Sequence, residues 1–191
     1  MQNFKQTETL GRLAFITKIE DVPGGVTVAV AELTQKSVEA ATVIGKDQNG
    51  LYHVVKTAVL HANATNTATD YQVKKGHNLK IGDFFAAGIG KKAYAITGIN
   101  TSNTDYDVIT LGTTLGEAVA AGAVMIQALA ESAATTSAFK YEPSLVTGSA
   151  FDIVPGDNHL VDAWRRSTIN SNNAPAVSAD IKAKMPLTQW V

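Results

Sequence analysis

The sequence has no cysteine, which excludes disulfide staples, thiolate metal ligands and cysteine nucleophiles together. Charge is also scarce. Asp, Glu, Lys and Arg make up 17% of the 191 residues, against roughly 25% in ordinary soluble domains. The net charge is −1, and no long run carries one sign. That argues against a nucleic-acid groove, which needs clustered Lys and Arg. The densest basic patch, Lys74-Lys75 with Lys80 and then Lys91-Lys92, has Asp83 among it and reads as solvated turn lysines. No apolar stretch approaches the roughly 18 residues of a membrane span. The start, Met1 to Gln6, lacks the basic region and apolar core of a secretory signal. The expectation is a soluble chain with no nucleic-acid partner, no membrane partner and no standard export route.

What the chain does have is small side chains. It carries 28 Ala, 21 Thr and 11 Asn, with aromatics at only 7%. Hydrophobic residues reach 45% and mean hydropathy is +0.02, enough for a packed core rather than wholesale disorder. Small residues bury little area each, at about 25 cal/mol per Å². Part of the stability is therefore expected from a subunit interface.

The patterning points to strands. From Tyr71 to Ala128, short strand-like runs are broken by glycine turns every eight to twelve residues, the signature of a small antiparallel barrel or sandwich. Earlier, Leu13 to Ile16 leads to a turn at Pro23-Gly24-Gly25, and Val26 to Val30 is β-branched at alternate positions. A strand over Ser37–Lys46 is expected to meet a hairpin at Asn49-Gly50 and return over Leu51–Lys56. Ala62 to Thr69 reads as a polar connector. Thr114-Leu115-Gly116-Glu117 has the form of a capping box, predicting a helix of about two turns over Leu115–Ala121 that Gly122 ends. Pro155-Gly156 suits a type II turn, and Leu160 to Ile169 a strand. At the end, Ser178 caps a helix with Asp180 in its first turn and Lys182 and Lys184 in its last; Pro186 stops it, leaving a strand over Leu187–Val191. The fold class expected is mainly β, a small antiparallel barrel or sandwich module with two or three short helices. It divides into an N-terminal β segment (1–61), a central small barrel (70–129) and a C-terminal β-plus-helix segment (138–191).

Candidate chemistry is sparse. The histidines at 53, 61, 77 and 159 show no metal-ligand spacing, and Asn103 to Asp107 reads as a polar hairpin turn rather than a calcium loop. Gly88-Ile89-Gly90-Lys91-Lys92 fails the phosphate-loop pattern at both ends, and Gly148-Ser149-Ala150 lacks half of a nucleophile elbow. No catalytic, cofactor-binding or metal residue is therefore assigned, and no enzyme is expected. A convergent pocket holding His77, Asp83 and a further carboxylate would reverse that expectation. Trp164 and Trp190 read as local core, with a docking surface as the alternative.

Lys75-Gly76-His77-Asn78-Leu79-Lys80-Ile81-Gly82-Asp83, Ala93 to Ile99 and Asn103 to Gly116 resemble the head fibre proteins of tailed phages. The likeness is greatest to those of phages and prophages of gut Bacteroides, crAss-like phages among them. The ending, Pro175 and a capped helix followed by Pro186 to Val191, is similar to capsid decoration subunits. The likeness spans Lys36 to Val191. It implies a non-enzymatic virion protein on the capsid surface, assembled in the bacterial host cytoplasm. The expected partners are copies of itself in a homotrimer, the major capsid protein and a host surface glycan. A carbohydrate-binding or adhesive β-domain outside any virion is the alternative, though Tyr94 and Tyr106 are the few exposed aromatic candidates in the central module.

Overall fold

The computed structural model describes residues 13–191. In chain order the strands are β1 (Phe15–Asp21), β2 (Val26–Ala29), β3 (Ser37–Val38), β4 (Val43–Lys46), β5 (Tyr52–Val54), β6 (Thr57–Val59), β7 (Asp70–Lys74), β8 (Phe84–Ala86), β9 (Ala93–Asn100), β10 (Tyr106–Leu111), β11 (Val124–Ala128), β12 (Glu142–Thr147), β13 (Phe151–Asp152), β14 (His159–Val161) and β15 (Ala163–Ile169). The helix α1 (Ala179–Lys184) and the strand β16 (Thr188–Trp190) complete the chain. The fold is mainly β.

The strands form two large curled sheets and a small antiparallel pair of β3 with β13. One has six strands in the order β6-β11-β8-β9-β10-β7, all from the middle of the chain. Its edges meet through an antiparallel bridge between Leu60 and Val73 and a bond from the His61 N–H to the Gln72 carbonyl. Inside lie Leu60, Tyr71, Val73, Phe85, Ile109 and Met125 with their neighbours. The other sheet runs β1-β15-β12-β4-β5-β2-β14, with β16 added in parallel to β15. β14 and β15 are one chain path broken at Asp162, so this sheet also curls back on itself. Val26, Val28, Ile44, Val54, Leu145 and Ala163 are among its core. The N-terminal and C-terminal segments thus share one sheet. A third cluster, with Val43, Val55, Ile126, Phe139, Ile169 and Ile181, fills the seam between the two sheets and seats α1.

Several local expectations hold. The β4–β5 hairpin turns over Asp47–Leu51, where Asp47 Oδ1 accepts the Asn49 and Leu51 amides and Gly50 takes φ +89°. The Ser178 hydroxyl accepts the Ile181 amide at the start of α1, and Pro186 follows its end. Pro155-Gly156 forms a turn closed by Asp157 N–H to Val154 O, with Gly156 at φ +94°.

Two expectations are corrected, and one is refined. The strand over Ser37–Lys46 is split into β3 and β4, because buried Ala41 takes φ +62° between them. The expected turn at Pro23-Gly24-Gly25 is present, closed by the Gly25 N–H to Val22 O, and on either side of it β1 and β2 run on along β15 and β14. The helix over Leu115–Ala121 is absent, so the described residues hold one short helix rather than two or three. Local capping loses there to tertiary partners. The Leu115 amide donates to the Tyr71 hydroxyl, Val119 pairs with Ala64, and the Ala121 amide donates to Asn63 Oδ1. Thr114 gives its hydroxyl proton to Asn66 O, and Glu117 pairs with Lys91 instead of reaching back.

Candidate functional site

Two polar clusters and one buried pair lie around the seam, and an open strand edge lies apart from them. The pair is Lys56, between β5 and β6, with Asp83, just before β8. Nζ stands 3.0 Å from Oδ2, and their side chains are 1% and 5% exposed. Asp83 is fixed further by accepting the Lys80 amide on Oδ2 at 3.1 Å and donating its own amide to Lys80 O. Burial lowers the Lys56 pKa from its ordinary value, outweighing the hydrogen bond from its ammonium to Asp83.

The first cluster centres on Glu32. Its carboxylate accepts from Lys140 Nζ at 2.6 Å and the Tyr141 hydroxyl at 2.5 Å. His53 stacks on the Tyr141 ring, centroids 4.0 Å apart and planes 8° from parallel. His53 Nδ1 is 3.1 Å from Glu32 and Nε2 3.5 Å from Asp47 Oδ2; the Nδ1 approach is close enough for an ion pair but lies off the hydrogen-bond axis. Burial opposes the Glu32 charge, yet the Lys140 and Tyr141 hydrogen bonds and the Lys140 charge prevail and lower its pKa. Asp47 is lowered too, the Leu51 and Asn49 amides overcoming its desolvation. Burial, then donation to Glu32, pushes the Tyr141 hydroxyl up.

The second cluster joins His77 to Asp107 and Lys75. Lys75 Nζ is 2.6 Å from Asp107 Oδ1, and His77 Nε2 is 3.3 Å from Oδ2 but poorly aligned for a hydrogen bond. His77 Nδ1 accepts the Leu79 amide, which fits the neutral ring. Burial lowers the His77 pKa against the pull of Asp107.

A cleft of about 550 Å³ runs between the sheets and the 172–177 loop, lined by Lys56, Lys74, Asn78 and Asn173 among others. His77 borders it, but its acid partner is Asp107, while Asp83 is turned to Lys56. The His77–Asp83 pairing that would favour catalysis is therefore not formed. His61 stacks on Tyr106 and His159 accepts the Val154 amide, so each histidine has its own neighbourhood. Among the described residues, no group of three or more His, Asp or Glu is placed to hold a metal ion. No helix there is long and apolar enough to cross a membrane. The Gly88–Lys92 segment is the β8–β9 turn, pinned to α1 by the Ile89 amide donating to Asp180.

Apart from these groups lies β1. Among the described residues it pairs with β15 alone, and every residue from Ile16 to Asp21 is exposed. Extra residues at Ile16 and Ile19 bulge out of the ladder, and both side chains are more than half exposed, as is Leu13 beside them. Sequence reasoning placed a strand near here but not its open edge, since pairing partners 150 residues away leave no local mark. Trp164 and Trp190 are half-buried against the seam, close to the core role expected of them.

Compared with known protein families, curated proteins and solved structures, the chain shows no match.

Proposed function

We propose that this chain is a non-enzymatic structural subunit of a tailed-phage virion, a head fibre or capsid decoration protein. It docks on the major capsid protein, assembles as a homotrimer and presents its outer surface to host glycans. The observation that carries the reading is β1, a seven-residue strand whose outer edge no described residue pairs, with Ile16 and Ile19 on it and Leu13 just before it exposed. A free edge with apolar side chains is a surface suited to another chain. The bulges at Ile16 and Ile19 break the regular ladder and so discourage open-ended strand addition, which favours a bounded partner. The resemblance of the 75–116 stretch to head fibre proteins points the same way.

The test is co-expression with the major capsid protein of the same genome, followed by sedimentation of the assembled shells. The chain should travel with the shells at a fixed ratio. Its complete recovery in the unassembled fraction would overturn the reading.

A further inference from the structure

We propose that Lys56 and Asp83 condense into an intramolecular isopeptide bond, so that the mature chain carries a covalent staple at the crossing from one sheet to the other. The pair has the starting geometry. The amine and carboxyl are 3.0 Å apart and almost wholly out of water, an environment lysine rarely occupies. Two opposite charges held there pay a heavy desolvation cost. Moving one proton from Nζ to Oδ2 replaces them with a neutral amine and a neutral acid, the forms that burial favours and that react. The depressed Lys56 pKa agrees with this direction. The Lys80 amide, donating to Oδ2, and the reciprocal Asp83 N–H to Lys80 O bond hold the carboxyl in place.

The step balances without a cofactor. The neutral Nζ attacks Asp83 Cγ and forms the C–N bond. The C–Oδ2 bond then breaks, and Oδ2, already carrying one proton, takes the second from Nζ and leaves as water. Nothing is oxidised or reduced. The product is a neutral amide, which is cheaper to bury than the ion pair it replaces. The bond would close a loop across 27 positions of the chain, linking the β5–β6 connection to the entry of β8. In a chain without cysteine, no disulfide can provide such a constraint.

The experiment is intact mass spectrometry of the full-length chain under denaturing conditions, followed by digestion and fragmentation. The expected result is a loss of one water, about 18 Da, together with a branched peptide joining Lys56 to Asp83. Asp83→Ala and Lys56→Met should each return the unmodified mass. The wild-type chain decides the matter even if a variant fails to fold. Folded wild-type protein of full sequence mass after prolonged storage would overturn the proposal, and so would a water loss located at any other residue.

Discussion

Gly45 has no room for a side chain. A methyl group there would lie 2.4 Å from Glu142 O and 2.9 Å from the Glu142 and Tyr141 carbonyl carbons, all backbone atoms of β12 and its approach. Backbone cannot step aside as a flexible side chain can, so Gly45→Ala should cost about 1–3 kcal/mol by overpacking, read as a lower urea midpoint. The titrating residues set a second expectation. His77 is depressed in the folded chain, so the unfolded chain takes up its proton first, near the free value of about 6.5. Its contribution is complete above that pH and is lost as pH falls toward the folded value. Glu32 and Asp47 are also depressed, and their contributions are present above the unfolded carboxylate range and lost as pH falls through their folded values. Urea midpoints should therefore decline in two stages on acidification, and His77→Gln should remove the upper stage while keeping the lower. A single decline confined to the carboxylate range in the wild-type chain would contradict this. None of these contacts was legible in the sequence. Glu32, Asp47, His53 and Tyr141 come from separate segments, and nothing in their spacing announces the meeting.

At the scale of elements, local signals were legible where tertiary packing agreed with them. The helix α1 carries its own cap, its charges at the favoured ends, a proline stop and one core residue, Ile181, which is fully buried. Ser178→Ala should cost about 1 kcal/mol and Ile181→Ala about 2–5 kcal/mol, a ranking that denaturant melts can check. The Thr114–Glu117 signal is as good on paper, yet that segment is pulled into bridges by Asn63, Ala64, Asn66 and Tyr71. Its own residues could not disclose those partners. The strand β1 poses a different question, because its Ile16 and Ile19 side chains are exposed while only Phe15 packs on the core. The double change Ile16→Lys with Ile19→Lys should alter monomer stability by no more than about 0.5 kcal/mol while weakening self-association, as seen by sedimentation velocity. A large loss of stability would mean that these side chains serve the fold and not a partner.

For the whole molecule, the alternation of strands and glycine turns conveyed the mainly β class. It could not convey that the two ends of the chain build one sheet. That arrangement depends on β12, β14 and β15 finding β1, β2 and β4 from the far end of the chain, and such pairing leaves only the weak mark of two compatible apolar faces. The same limit applies to assembly. On the proposed reading, small side chains, a strand edge that no described residue pairs and exposed Leu13, Ile16 and Ile19 are surface left for other copies, and symmetric closure is the usual way to cover such surfaces. The direct measurement is the mass of the purified full-length chain by light scattering at micromolar concentration. The account predicts a stable species of three times the 20.1 kDa chain mass; a single 20.1 kDa species at every concentration would contradict it.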